Sequence, residues 1–143
     1  RIGLAGESAG GHLALMGGLE IPDIRAVAAL YPSTEPLVLD PLPAEMPNVF
    51  GGDPELARAA SPVLLVNSSA PPCLLVHGDA DKLLPSAQSE RMHELLLAAG
   101  VSSTLRIVPG ADHCFVGYPD IAGLLNDMAT WLASWLSAQP PRL

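Results

Sequence analysis

Residues 2–15 read IGLAGESAGGHLAL, and the fold is decided by how this stretch divides. Ile2 to Ala5 is an apolar run of strand length, Ala9 to Leu19 suits a helix, and Gly6-Glu7-Ser8-Ala9-Gly10 stands between them. A GxSxG segment at a strand-to-helix junction has a physical logic. Small flanking residues let the chain turn sharply, which lifts the Ser8 hydroxyl out of the turn and leaves the Ala9 amide facing outward. Gly10, Gly11, Gly17 and Gly18 each cost the helix about 1 kcal/mol relative to alanine. Close approach of another backbone is the expected reason for them.

Three more short apolar runs follow, Ala26 to Tyr31, Cys73 to His77 and Thr104 to Val108, each bounded by Gly or Pro. The first three strands lack a polar/apolar alternation, as parallel strands covered on both faces do, whereas Arg106 between Leu105 and Ile107 suits a more exposed strand. Met92, Leu95, Leu96 and Ala99 recur at helical spacing between Pro85 and Gly100. Asp120 is placed to cap a last helix whose stripe is Ile121, Leu124, Leu125, Met128, Leu132, Trp135 and Leu136. Strand and helix thus alternate. That order predicts an α/β fold, three layers α/β/α around a mostly parallel sheet.

The 143 residues are 49% hydrophobic and 15% charged, which suits one compact domain. Seven basic against fifteen acidic residues give a net charge of -8, so a phosphate backbone or an anionic lipid surface would be repelled. Nucleic acid is not an expected partner. No apolar run reaches the roughly 18 residues of a spanning helix. Nine of the fifteen prolines fall between Pro32 and Pro72, and residues 35–60 read as an irregular insertion. The chain opens on Arg1 directly into a strand, so upstream residues are expected and the compartment stays open. Cys73 opens a strand, and Cys114 lies beyond the far end of the neighbouring one, about 15 Å along. No disulfide is expected. The four histidines are scattered, no phosphate loop or dinucleotide fingerprint occurs, and neither metal nor cofactor is implied.

A serine hydroxyl needs an imidazole base, and that base needs a carboxylate to fix its tautomer. Both types stand just past the carboxyl ends of later strands: Asp79 and Asp81 after His77-Gly78, and Asp112-His113 after Pro109-Gly110. In a parallel sheet these ends share one edge, where ligands of open α/β sheets bind. His77 reads as a buried strand-end residue with a backbone partner, His93 as solvated, and His12 as part of the helix after Ser8. Glu7 reads as a turn-stabilising carboxylate and the two tryptophans as core.

The segments GESAGGHLAL, HGDADKLLP and GADHCF resemble the signature segments of α/β-hydrolase serine esterases, in the order Ser, Asp, His. They most resemble the feruloyl and acetyl xylan esterase-like branch and its prolyl oligopeptidase-like relatives. The resemblance covers nearly the whole chain as the C-terminal part of that fold, and is weakest from residue 35 to residue 69. It implies Ser8 as nucleophile, Asp81 as acid, His113 as base and the Ala9 amide as an oxyanion donor. It also implies a small-molecule ester as substrate and a cap over the pocket at residues 35–60. Two departures stand out. Asp112 occupies the place of a usual Gly, and the upstream strands with their HGGG-type loop are absent from these residues. The first strand would then be a bare edge open to self-association. A prolyl oligopeptidase-like peptidase and a non-catalytic fragment are the alternatives.

Overall fold

The computed structural model describes residues 1–36 and 50–137. Among these residues four strands form one sheet in the order β1-β2-β3-β4, with β1 Ile2–Glu7, β2 Ile24–Leu30, β3 Cys73–Gly78 and β4 Ser103–Val108. Every neighbouring pair is parallel. The helices are α1 Ala9–Glu20, α2 Pro54–Ala59, α3 Pro62–Leu65, α4 Ala87–Ala98 and α5 Ile121–Ser137.

Alternation along the two inner strands explains the three layers. Val27, Ala29, Cys73 and Leu75 point to one face and meet Leu15 of α1, Val63 of α3, and Met92 and Leu96 of α4. Ala28, Leu30, Leu74 and Val76 point to the other face and meet Leu124 and Met128 of α5. Both faces of β2 and β3 are therefore covered, which is why these strands read as continuous apolar runs. β4 alternates as its sequence implies. β1 departs from the expectation of two covered faces: it is the sheet's edge, and Ile2 is 59% exposed.

The glycines of α1 divide by what surrounds them. A Cβ on Gly11 would press on the Leu30 carbonyl and one on Gly18 would strike the Val27 side chain, but Gly10 has open space around its own Cβ position. Its backbone is what matters, because a side chain on Gly6 would collide with the Gly10 carbonyl. Asp120 caps α5 as expected, accepting from the Gly123 amide at 3.0 Å. The tryptophans sit less deep than expected. Trp131 packs against the α5-side core, and both rings stay half-buried with centroids 6.1 Å apart. Of the insertion at residues 35–60, positions 37–49, with Leu37, Leu39 and Met46, lie outside the described residues. The remainder includes α2, which Asp53 caps through the Glu55 amide at 2.9 Å.

Candidate active site

Parallel pairing brings the carboxyl ends of all four strands to one edge, and each is followed by a residue of the site: Ser8, Tyr31, the Asp81 loop and the His113 loop. Ser8 sits between β1 and α1 at φ 50° and ψ -119°, a conformation that L residues rarely adopt. Such strain costs about 1–3 kcal/mol and persists only where neighbours over-determine it. Here the Ser8 amide donates to the Leu30 carbonyl at 2.9 Å and the Ser8 carbonyl accepts from the His12 amide at 3.0 Å. Ala9, the first residue of α1, holds its amide outside the helix's own hydrogen-bond ladder.

The Ser8 hydroxyl donates to His113 Nε2 at 3.0 Å, and His113 Nδ1 donates to Asp81 Oδ2 at 2.8 Å. The direction follows from chemistry. A carboxylate only accepts, so Nδ1 carries the proton and Nε2 is left to accept. Asp81 is the carboxylate brought to His113. Its rival Asp79 is spent on the Gly110 amide at 2.6 Å, where it ties the two loops together. The Asp81 side chain has no exposed surface while His113 keeps 14% of its own, so the imidazole is open to solvent and the carboxylate is not. Oδ1 of Asp81 accepts from the Leu83 and Leu84 amides at 2.9 and 2.8 Å.

Asp112 needs no glycine geometry. Its φ is -89°, and the left-handed positions of that loop are Gly110, Cys114, Phe115 and Gly117 instead. Phe115 is 3% exposed and packs edge-on to Tyr31 at 5.0 Å, an anchor for the strained turn that carries His113. Beside His113 lies an open hollow of about 410 Å³ lined by Ala80, Lys82, Leu83, Asp112 and His113. Among the described residues no cluster of His, Cys, Asp and Glu is arranged to hold a metal ion.

Tyr31 has no counterpart in the sequence reading. Its ring meets the His113 ring edge-on at 4.8 Å and its hydroxyl donates to Glu7 Oε2 at 2.7 Å. Burial and the Glu7 carboxylate push the phenol well above its ordinary range. Glu7 thus braces the end of β1 against the end of β2. The signal in the sequence was an aromatic residue at a strand's end, but its partners are 24 and 82 positions away. His12 is structural, bonded through Nδ1 to the Ser33 carbonyl at 3.0 Å. His93, expected in solvent, is half-buried with Nδ1 bonded to the Ser103 hydroxyl at 2.9 Å. Both cysteines are free, and burial pushes the Cys73 thiol up to about 12.

His77 is fully buried and donates from Nε2 to the Leu84 carbonyl at 2.8 Å, as a buried strand-end histidine should. Burial lowers its pKa below the ordinary 6.5, so the folded protein keeps the ring neutral where the unfolded chain takes up a proton. As pH falls through 6.5 the unfolded state therefore binds more protons, and unfolding free energy should fall with it. Urea denaturation at stepped pH values below 7 checks this. The slope should flatten in His77→Gln, and an unchanged slope would assign it to other groups.

The comparisons agree with this architecture. Esterase LipQ of Mycobacterium tuberculosis is 32% identical over 142 residues, covering 80% of this chain and 32% of its own length. An acetyl ester-xyloside bifunctional hydrolase from Caldicellulosiruptor lactoaceticus superposes with a TM-score of 0.72 at 25% identity, over 94% of this chain and 56% of that one. A puromycin-hydrolyzing peptidase of Mycobacterium tuberculosis superposes with a TM-score of 0.84 at 20% identity, over all of this chain and 23% of that one. The chain thus spans about a third of the length of the curated esterase it matches. The fold is that of the α/β-hydrolases, and since the profile of the prolyl oligopeptidase family matches residues 1–139, the chain belongs to that family.

Proposed function

We propose that the protein is a serine hydrolase that cleaves carboxylic esters through an acyl-enzyme. The observation that carries this is the unbroken relay from Ser8 Oγ through His113 to the buried Asp81, with Ser8 held in a strained elbow. Ser8 Oγ attacks the ester carbonyl as its proton passes to His113 Nε2. The carbonyl oxygen gains negative charge and meets the Ala9 amide, one of the donors such an intermediate requires. Collapse expels the alcohol, which takes the proton from His113. Water, deprotonated by the same imidazole, then releases the acid and restores Ser8. Asp81 keeps Nδ1 protonated and stabilises the imidazolium.

Esters are favoured as substrate by the likeness to LipQ and to the acetyl ester-xyloside hydrolase. The second reading, a peptidase, is favoured by the family match. In a peptidase the departing amine takes the proton instead, and a site for the peptide's amino end is needed in addition. The cap over the pocket at residues 35–60 and one domain over residues 1–143 belong to the same reading. So does self-association through the β1 edge, which rests on Ile2 being exposed there. No helix among the described residues is long and apolar enough to cross a membrane.

The test is a fluorophosphonate probe followed by peptide mapping, with p-nitrophenyl acetate and an aminoacyl p-nitroanilide assayed in parallel. One label per chain on Ser8, with turnover of the ester well above the anilide, is expected. Anilide turnover above the ester would favour the peptidase. Ester turnover with Ser8 unlabelled would overturn the relay.

A further inference from the structure

His77 is a fully buried polar side chain that the proposed reaction does not use. Its partners fix it completely. The Leu84 carbonyl can only accept, so Nε2 bears the proton and donates there at 2.8 Å. Nδ1 is then bare and accepts from the Ser89 hydroxyl of α4 at 2.8 Å. Ser89 is itself fully buried, so no water competes for that bond. One neutral tautomer satisfies both contacts, and a second proton on Nδ1 would oppose the Ser89 donor.

The same Nε2–H also reaches Asp81 Oδ2 at 3.2 Å, the oxygen that accepts from His113 at 2.8 Å. Two imidazole N–H groups therefore converge on one carboxylate oxygen while two backbone amides hold the other. A carboxylate with both oxygens doubly engaged cannot rotate about its side-chain torsions without losing bonds, so its aim at His113 is fixed before substrate arrives. The second donor also withdraws electron density from Oδ2. When His113 becomes imidazolium, the carboxylate then draws less on the Nδ1 proton.

We propose that His77 is a positioning residue for the acid: by sharing Asp81 Oδ2 with His113, its Nε2–H fixes the carboxylate's orientation and moderates the proton affinity of the base. This rests on the assignment of Ser8, His113 and Asp81 above. Other ionisable groups near the relay are Lys82 and Asp112 beside the hollow, Asp79 at the Gly110 amide, Cys114 next to the base, and Glu7 behind Tyr31. None of them is altered by a substitution at 77.

The experiment compares the full chain with His77→Leu, which removes the donor, and His77→Gln, whose amide restores one. Initial rates on p-nitrophenyl acetate are taken across pH 5 to 9. For His77→Leu, kcat should fall about 10- to 100-fold at nearly constant KM, a loss of the size seen when the outer partner that orients a metal-ligating side chain is removed. The acid limb of kcat/KM should move up by about half a pH unit, because a carboxylate with one donor fewer holds the imidazolium more strongly. His77→Gln should recover both. A folded His77→Leu with wild-type rate and limb would overturn the proposal. So would a rate loss with no movement of the limb and no rescue by Gln, since that is what a packing role alone produces. If His77→Leu does not fold, nitrogen-15 histidine spectra of the unsubstituted protein decide: the His77 Nε2–H resonance should shift as His113 titrates, and a stationary resonance overturns the shared oxygen. Fluorophosphonate labelling of the unsubstituted protein separates the two levels. Absence of label at Ser8 faults the relay itself, whereas labelling with an indifferent residue 77 faults only this inference.

Discussion

Ser8→Ala is expected to lower p-nitrophenyl acetate turnover by about 10⁴- to 10⁶-fold, with the unfolding midpoint of the protein little changed. The size follows from what the hydroxyl does. It is the only atom in the relay that bonds to substrate carbon, and without it His113 has no serine proton to take and Asp81 no imidazolium to stabilise. Residual catalysis would come from the Ala9 amide and from binding alone, and in serine hydrolases these leave about 10³–10⁴ over water. The midpoint should hold, because the Ser8 side chain makes one hydrogen bond, while its backbone bonds to Leu30 and His12 survive in alanine. Strain at φ 50° is shared by serine and alanine alike. Turnover reduced less than tenfold would mean that another nucleophile acts, and the assignment of the site would fall with it.

Gly78→Ala is expected to be among the most damaging single methyl additions in the fold. Gly78 ends β3, is buried, and faces the Ala111 carbonyl so closely that a Cβ there would collide with it. That carbonyl already accepts from the Ala80 amide at 3.0 Å, so it cannot turn aside without breaking the link between the two loops. Overpacking a core side chain costs typically about 1–3 kcal/mol. A backbone obstacle gives way less than a side chain does, so a loss of about 3 kcal/mol in urea unfolding is expected. Activity in whatever fraction remains folded should fall about 100-fold, since an error near 1 Å between base and acid is enough for that. Gly10→Ala is the control: its Cβ position is open, and helix propensity alone predicts a gain of up to about 1 kcal/mol. Equal midpoints for Gly78→Ala and the unsubstituted protein would show that the loops part more easily than their packing implies.

What the sequence disclosed and what it withheld separate along a physical line. Runs such as Ala26–Leu30 and Leu74–Val76 announce their state because both faces of a parallel strand must be apolar, and the loops bearing Ser8, Asp81 and His113 follow from the shared edge of such a sheet. The choice between Asp79 and Asp81 needed a resemblance, because both lie within two positions of each other on one turn. Helices α2 and α3 were hidden in the proline-rich stretch. Both begin on a proline, at Pro54 and Pro62, where a missing amide costs nothing, so residues that read as breakers were in fact starters. The His77 bond to Asp81 and the contacts of Tyr31 with Glu7 and His113 could not be read off, since neither leaves a periodic trace. They depend on which strand ends become neighbours. Asp112 shows the converse: it stands where a glycine is usual, yet the residues with positive φ lie on either side of it.

The packing of α5 on the edge strand bears on how the chain is made. Leu132 and Leu136 cover Gly3, and the Arg1 guanidinium donates to the Leu136 carbonyl at 3.0 Å across 135 positions. A ribosome adding about 5–20 residues per second delivers the two partners many seconds apart. Once made, Ala28, Leu30, Leu74 and Val76 wait for the Leu124 and Met128 side chains of α5 that pack on them. Nascent polypeptide in this condition is a natural client for chaperones, and a translational pause between β3 and α5 would prolong the exposure of that face of the sheet.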